Sequence, residues 1–227
     1  MRSWSSCTTR EATCDGCGCS LPTTYDGLKC LNCQLYPPSF EAVYTQFSYE
    51  PIAGHIIKNA KRWGLPRLLT PLLELIEADT IVNMIPHIDR IVPIPDRATR
   101  LRQRGFSATK LIAKQMSKAM KSVPVSTKLS WRKSTERQSV LSKKARLENM
   151  RGAFRGHGVN GESVLLVDDV YTTGSTLRSA SRAIKLAGAK SVYAFALIYR
   201  SSDKRHLGQA LEAVTQADDR PIHHLDV

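Results

Sequence analysis

The chain alternates short apolar runs with longer amphipathic stretches. Four apolar runs predict strands: "AVYTQFSY" at 42–49, "RIVPIP" at 90–95, "SVLLVDD" at 163–169 and "SVYAFALIY" at 191–199. The last two runs lack alternating polar residues, which is typical of parallel strands covered on both faces. A helical segment, "STLRSASRAIKLAG", separates them and ends at a glycine. This strand–helix–strand order predicts an α/β domain with a parallel sheet flanked by helices.

The other amphipathic stretches predict helices at residues 52–64, 65–78 and 105–121. The third repeats apolar side chains at helical spacing, and the face that they form would carry Phe106, Thr109, Ile112, Ala113, Met116 and Met120. Residues 130–152 are strongly basic and show little periodicity, so we expect a long mobile loop there.

Composition changes this picture mainly through charge. Hydrophobic residues (42%) and charged residues (23%) occur in the proportions of a soluble globular protein. The 33 lysines and arginines exceed the 20 acidic residues and give a net charge of +13. Such an excess favours polyanionic partners; the alternative is a basic surface that serves solubility alone. No apolar run suits a signal peptide core or a membrane span, so the sequence predicts a cytoplasmic protein without membrane insertion.

The six cysteines all lie at or before Cys33. Four of them have the spacing C-x2-C-x12-C-x2-C, namely Cys14, Cys17, Cys30 and Cys33. Two CxxC turns can direct four thiolates at one point, which predicts a closed tetrahedral site for a structural zinc ion. Unrelated reduced cysteines or a redox pair are the alternatives to zinc, and Cys19 or Cys7 is an alternative ligand.

The end of the strand at 163–169 carries the most specific chemistry. Asp168 and Asp169 stand at its carboxyl end, where open parallel sheets bind ligands, and "TTGST" leads from there into a helix. The helix start offers unpaired amides to a phosphate, and Gly174 lets the backbone approach closely. Hydroxyl donors are added by Thr172, Thr173, Ser175 and Thr176. Because the carboxylates can accept hydrogen bonds from vicinal sugar hydroxyls, the stretch predicts a ribose-5-phosphate clamp.

Three alternatives explain this stretch less well. The strand resembles a Walker B strand, but the chain has no G-x4-G-K-[ST] motif for a P-loop. It also has no G-x-G-x-x-G opening a helix after a strand, which argues against a dinucleotide site. An ordinary strand-to-helix turn with a capping hydroxyl accounts for the threonines and serine but not for two aspartates on a buried strand.

The stretch "VLLVDDVYTTGST" resembles the phosphoribosyl pyrophosphate (PRPP) loop of type I phosphoribosyltransferases. Over residues 14–200, the order of segments resembles the ComF family of competence-associated proteins: paired CxxC turns, "IIKNAKRWG", "VPIP", "RLRQRGF", "RQSVLSKKARLENMRGAF" and the PRPP loop. The resemblance implies a type I phosphoribosyltransferase fold at 40–200 and a four-cysteine zinc module at 14–36. Residues 1–13 are then expected to be a disordered N-terminus and residues 201–227 a C-terminal extension.

The resemblance also implies roles for individual residues. The PRPP site would comprise Asp168, Asp169, Thr172, Thr173, Gly174, Ser175 and Thr176. The segment from Asp96 to Thr99 corresponds to the pyrophosphate-binding loop, and Mg²⁺ is expected to bridge the pyrophosphate oxygens. Candidates to neutralise the pyrophosphate are Arg97, Arg100, Arg102 and Arg104. Purine-salvage relatives carry an aspartate as proton acceptor where this chain has Thr172, so no catalytic base is assigned.

Three functions follow from the resemblance and the charge. The first is a PRPP-binding protein of DNA uptake and natural transformation that contacts single-stranded DNA and works with the DNA-uptake machinery. The second is an active transferase that moves ribose-5-phosphate to an amine or base. The third is a PRPP sensor that docks a partner through its zinc module. Candidates for DNA contact are Trp131, Lys133, Arg137, Lys143, Lys144 and Arg146; a basic lid over PRPP is the alternative role for this segment.

Overall fold

A four-stranded parallel sheet forms the centre of the molecule. The computed structural model describes residues 14, 16–18, 21, 28–35, 37–49, 52–76, 87–132 and 152–200. The sheet contains β1 (Ala42–Ser48), β2 (Arg90–Pro93), β5 (Ser163–Tyr171) and β6 (Ser191–Tyr199) in the order β1-β6-β5-β2, with every pair parallel. The predicted parallel sheet is confirmed, and so are the four strands that the apolar runs indicated.

The strand β5 is covered on both faces, as its unbroken apolar run predicted. Its side chains alternate, so that Val164 and Leu166 belong to one buried cluster while Leu165 and Val167 belong to the other. The helices α2 (Ile52–Trp63) and α5 (Ala108–Ala119) contribute to the second cluster. The first cluster receives α6 (Ser175–Leu186) and the β3–β4 hairpin (Leu129–Trp131 and Phe154–Gly156). The helices therefore flank the sheet as the fold class requires.

The cysteine segment lies against the same core. It contains α1 (Leu31–Leu35), and Cys14, Cys17 and Cys33 are buried in the cluster that includes Leu166 and Leu177. The division into a module at 14–36 and a domain at 40–200 stays a prediction. The N-terminus at 1–13 and the extension at 201–227 lie outside the described residues.

Two predicted helices differ from the observed ones. Residues 65–78 were expected to form one helix, but a 3-10 turn (Pro66–Leu69) precedes the short helix α3 (Thr70–Glu74). Pro71 explains the break, because it lies inside the predicted helix and donates no hydrogen bond to the preceding turn. The helix predicted at 105–121 begins at Ala108, since Ser107 caps it by accepting from the Lys110 amide.

The sequence pattern missed the helix α4 (Ala98–Arg104). None of its residues is buried, so it has no apolar stripe for a periodicity argument to detect. It ends at Gly105, whose left-handed conformation closes the last turn.

The first residues of the segment predicted as a loop at 130–152 form a strand instead. Ser130 and Trp131 belong to β3, which pairs antiparallel with β4, so these two residues are ordered strand positions. Residues 133–151 lie outside the described part of the chain, and their mobility stays a prediction. Among the described helices, none has the length and apolar character needed to cross a lipid bilayer.

Candidate functional site

The carboxyl ends of β2 and β5 meet at one edge of the sheet. The Ile94 amide donates to the Val167 carbonyl, which sets the chain after β2 beside the end of β5. Asp96 lies shortly after the end of β2, and Asp168 and Asp169 lie near the carboxyl end of β5. The predicted carboxylate pair therefore lies at the edge where parallel sheets bind ligands, and a third carboxyl group joins it.

Asp168 is held in an environment that disfavours its charge. Burial and the negative charge of Asp169 raise its pKa to about 7, and the charge of Asp96 acts in the same direction. The Asp169 amide donates to Asp168 Oδ1 at 2.9 Å and offsets part of this effect. A carboxyl group so placed has room to gain hydrogen-bond donors from a ligand, and its titration lies in the physiological range.

Asp169 has a partner that the sequence did not reveal. Lys61 Nζ, from the last turn of α2, forms an ion pair with Asp169 Oδ2. Both side chains are largely shielded from solvent, with exposed fractions of 20% for Lys61 and 14% for Asp169. The sequence offered only a lysine on an amphipathic helix, which is ordinarily a solvated charge, and nothing in its spacing pointed to the PRPP loop.

The predicted PRPP loop turns sharply between β5 and α6. Gly174 precedes the helix with φ of 71° and, having no side chain, offers no cap to the helix amides. A Cβ atom at this glycine would stand 2.5 Å from the hydroxyl of Tyr171, so neither the backbone angle nor the space suits another residue. Thr172 and Thr173 are exposed, and Thr173 donates to Ser175 Oγ at 3.2 Å. Uncapped amides and hydroxyls at a helix start can receive a phosphate group.

The segment from Asp96 to Thr99 is only partly a loop, because Ala98 and Thr99 open α4. Within the described part of the chain, Asp96 Oδ2 is buried and has no hydrogen-bond partner. Arg97 and Arg100 are exposed, as is Arg102, whereas Arg104 is half-buried. The Arg97 guanidinium lies 4.3 Å from the centroid of the Trp131 ring. Arg97 therefore stands at the N-cap of α4 and Arg100 within it, whereas Arg102 and Arg104 lie in its last turn.

The four predicted metal ligands converge. The sulfur atoms of Cys14, Cys17, Cys30 and Cys33 all lie within 4.8 Å of one another, and three of the four residues are buried. Gly16 leaves no room for a side chain, since its Cβ would stand 2.9 Å from Cys33 Sγ. Hydrogen bonding with Cys17 and burial raise the pKa of the Cys33 thiol, so a metal ion must displace protons to bind. Four sulfur ligands at this separation fit a tetrahedral ion such as zinc; Cys7 and Cys19 lie outside the described residues.

Two side chains join this cysteine cluster to the segment around the PRPP loop. Tyr171 donates its hydroxyl hydrogen bond to the Cys17 carbonyl at 2.6 Å, and Arg178 Nη2 donates to Cys33 Sγ at 2.6 Å. The sequence prediction assigned a role to neither residue. A tyrosine at a strand end and an arginine on an amphipathic helix carry no signal that distinguishes them from core and surface residues.

The predicted DNA-contacting residues are only partly within the described chain. Trp131 is half-buried, donates from Nε1 to the Pro95 carbonyl at 2.8 Å, and contacts the ring of Phe154 at 4.3 Å between centroids. With Phe154 and Arg97 both against its ring, stacking of a base on Trp131 would require one of these contacts to open. The other candidates lie outside the described residues, namely Lys133, Arg137, Lys143, Lys144 and Arg146.

Similar proteins bear on both the fold and the family. Residues 102–214 match the family described as "Phosphoribosyl transferase domain". The chain is 32% identical over 198 residues to the DNA utilization protein YhgH of Escherichia coli (strain K12), an alignment that covers 83% of this chain and 85% of that protein. It is 29% identical to Competence protein F of Haemophilus influenzae, with 81% of this chain and 83% of the relative covered.

Two further proteins resemble the chain, one over a shorter stretch and one at lower identity. Competence protein ComFC of Bacillus subtilis is 33% identical over 110 residues, covering 48% of this chain and 43% of the relative. A purine phosphoribosyltransferase from Pyrococcus horikoshii aligns with a TM-score of 0.38 at 17% identity, over 58% of this chain and 80% of that one. By its fold, its converging cysteines and its extended identity to the first two relatives, the chain belongs to the ComF family of the phosphoribosyltransferase superfamily.

Proposed function

We propose that this protein binds PRPP at the carboxyl edge of its sheet and contacts single-stranded DNA during DNA uptake. The observation that supports the PRPP part is that Asp168 and Asp169, near the carboxyl end of β5, are joined by one short loop to a helix start whose N-cap is a glycine. The helix start and the hydroxyls of the loop suit the 5-phosphate, and the carboxylates suit the two ribose hydroxyls. The loop thus offers a seat for an anion, and the strand end offers acceptors for a diol.

The pyrophosphate half of the ligand faces the segment after β2. Arg97 and Arg100 offer cations there, while the unpartnered Asp96 Oδ2 offers a carboxylate to a metal-bound water or hydroxyl. In the described part of the chain, the only converging group of three or more metal-ligating side chains is the cysteine cluster. Mg²⁺ is therefore expected to enter with PRPP, taking most of its oxygen ligands from the pyrophosphate and from water.

Calorimetry with PRPP and Mg²⁺ tests this site. Ribose-5-phosphate alone and pyrophosphate alone serve as the matched ligands, since each presents half of the groups. We expect PRPP to bind more tightly than either half. Equal affinity for PRPP and free pyrophosphate would contradict the clamp, because the carboxylates would then contribute nothing.

The DNA part of the proposal rests on the net charge of +13 and on the family's relatives. Contact with the phosphate backbone releases counterions, so binding should weaken steeply as salt rises and show little choice of sequence. Charge reversal of Lys143 and Lys144 to glutamate should weaken binding to all single strands. The control reverses Lys58 and Lys190, two exposed lysines outside the proposed segment, and changes the net charge equally. Equal loss in both variants would mean that the net charge acts, not the segment 133–151.

A transferase activity is the second candidate, and a specific observation favours it. Asp96 and Asp168 both supply carboxyl groups beside the expected ribose position, so a proton acceptor does not have to come from residue 172. In such a reaction an acceptor nitrogen forms a bond to C1 of the ribose, the bond from C1 to pyrophosphate oxygen breaks, and a carboxylate takes the nitrogen's proton. Incubation with PRPP, Mg²⁺ and a panel of bases and amines, followed by pyrophosphate detection, decides between binding and turnover.

A further inference from the structure

The PRPP loop is attached to the cysteine cluster on both of its sides. Tyr171 is the last residue of β5, immediately before the loop, and its buried hydroxyl donates to the Cys17 carbonyl. Arg178 follows the loop in α6, where its amide donates to the Gly174 carbonyl and its guanidinium donates to Cys33 Sγ. The first CxxC pair is therefore hydrogen-bonded through Cys17 to the residue before the loop, and the second pair through Cys33 to a residue after it.

These contacts leave the loop little freedom to shift relative to the cysteine cluster. The Tyr171 hydroxyl lies 2.5 Å from the position that a Cβ atom on Gly174 would occupy, so the tyrosine ring packs directly against the glycine of the loop. The backbone of Tyr171 is fixed as well, since its carbonyl accepts from the Arg200 amide. A shift of the Cys17 turn would move the hydroxyl, and the loop above it would have to follow.

A metal ion bound by the cluster would restrain where these partners lie. A metal ion would replace the protons of the four thiols, and the two CxxC turns would then take a fixed geometry from the ion that they bind. Four thiolates with one Zn²⁺ leave net negative charge, which strengthens the hydrogen bond that Cys33 Sγ accepts from the Arg178 guanidinium. Without the ion, only core packing and the two hydrogen bonds would hold Cys17 and Cys33 against Tyr171 and Arg178.

We propose that Tyr171 and Arg178 are positioning residues that couple metal binding at the cysteine cluster to ligand binding at the PRPP loop. The inference rests on the proposed PRPP site. Coupling between two sites is reciprocal, so zinc should raise the affinity for PRPP by the same factor by which PRPP raises the affinity for zinc. We expect a factor of about ten, within the usual range of such couplings.

The first experiment measures the coupling in both directions on the full chain. PRPP affinity is measured by calorimetry on zinc-loaded and zinc-depleted protein, and zinc affinity by chelator competition with and without PRPP and Mg²⁺. Tyr171→Phe removes one hydrogen bond between the two sites, and Arg178→Lys replaces the planar guanidinium of the other with a single ammonium group of different geometry. Both variants should bind zinc and PRPP separately but with the coupling reduced to about twofold or less. Arg182→Lys, an exposed position one turn further along α6, is the matched control and should keep the full coupling.

A second measurement reports on the cluster in the folded, metal-bound state. Co²⁺ replaces Zn²⁺, and its thiolate absorption bands respond to small changes in the geometry of the sulfur ligands. Addition of PRPP should shift these bands in the wild-type protein and in Arg182→Lys, but not in Tyr171→Phe or Arg178→Lys. Loss of a fold in the zinc-depleted protein does not affect this measurement, because no metal is removed.

The outcomes separate this inference from the proposed function. PRPP binding that is equal with and without zinc, together with unmoved Co²⁺ bands, would overturn the coupling and leave the PRPP site standing. If the wild-type protein binds no PRPP, the proposed function fails, and hydrogen exchange of the amides at 172–178 then decides the coupling. Faster exchange after zinc removal supports it, and unchanged exchange overturns it.

Discussion

Carboxyl groups at the two ends of strand β5 have pKa values that are shifted in opposite directions. At the amino end, Glu162 accepts two hydrogen bonds from Arg90, at 2.6 and 2.5 Å, and these hold the pKa of Glu162 below its usual value. Asp89 accepts from the Ser163 amide at 2.8 Å and lies beside His87, which also lowers its pKa. At the carboxyl end, burial and a neighbouring carboxylate raise the pKa of Asp168 instead.

The difference separates carboxyl groups whose ionisation stabilises the fold from Asp168, whose ionisation costs stability. The charges at the amino end have cations or amides as partners, so ionisation there favours the folded chain. At the carboxyl end, Asp168, Asp169 and Asp96 lie near one another, and ionisation of Asp168 disfavours the fold. A cost of this kind is typical of a functional site, where the compensating partners arrive with the substrate.

The strongest test of this comparison uses two glycines with nearly the same backbone angle. Gly174 and Gly161 have φ of 71° and 72°, but a Cβ at Gly174 meets the Tyr171 hydroxyl whereas one at Gly161 meets nothing within 4 Å. Gly174→Ala should lower PRPP affinity about 100-fold, because strain and a clash both distort the loop. Gly161→Ala should cost only about 1 kcal/mol of stability and leave PRPP affinity unchanged. Calorimetry and thermal unfolding measure the two effects, and equal PRPP affinities in the two variants would contradict the role of the loop.

A double substitution at each end of β5 should give the next largest effect. Asp168→Asn with Asp169→Asn keeps side-chain size and removes two charges, so PRPP affinity should fall about tenfold or more, since each charge-assisted hydrogen bond contributes roughly 1.5–3 kcal/mol. Asp89→Asn with Glu162→Gln makes the same chemical change at the amino end and should leave PRPP affinity intact. Calorimetry on both proteins checks the contrast. If the amino-end variant loses as much affinity as the carboxyl-end variant, net charge and not the clamp explains the result.

The pH dependence of stability provides a third test. A carboxyl group whose pKa is raised in the folded chain contributes stability below its ordinary pKa of about 4, and this contribution is lost as the pH rises through about 7. Asp168→Asn should therefore stabilise the ligand-free protein, with a gain that is smallest near pH 4, grows up to about pH 7 and then levels off. Several degrees in Tm are expected at the plateau. Thermal unfolding across this range measures the gain, and a gain that does not vary with pH would show that Asp168 is not the titrating group.

The smallest effect is expected for Glu162→Gln alone. Its pKa is lowered by Arg90, so its contribution to stability is present above its ordinary pKa of about 4.5 and is lost as the pH falls through the folded-state value. The side chain is partly exposed, and the loss at pH 7 should be about 0.5–1 kcal/mol. Denaturant unfolding at pH 7 and at pH 3.5 compares the variant with the wild type. The difference should shrink at the lower pH; a difference that grows would contradict the ion pair.

Features encoded by local spacing were predictable from the sequence. The four strands of the sheet follow from their apolar runs, and the convergence of four cysteines follows from two CxxC pairs. The loop at 172–176 could be placed because strand, aspartates, glycine and helix are adjacent along the chain. Each of these depends on contacts between residues that a short window already contains.

Features that depend on distant partners were not predictable. Lys61 meets Asp169, and Arg178 meets Cys33 across 145 residues, only because the sheet brings their elements together. The helix α4 lacks buried residues, and β3 is three residues long, so neither has a periodicity that a pattern could reveal. The roles of Lys143, Lys144 and the rest of the segment 133–151 stay predictions, since they lie outside the described residues.

The pairing of β1 with β6 has a consequence for how the chain is made. The ribosome releases β1 and the cysteines early, but β1 pairs with β6, and Tyr171 follows Cys17 by 154 residues. The sheet and the cysteine cluster therefore cannot complete their native contacts until most of the polypeptide has been synthesised. During this interval the thiols lack the contacts that Tyr171 and Arg178 make with the cysteine cluster in the folded protein. A metal ion captured during synthesis would protect them from oxidation while the rest of the domain emerges.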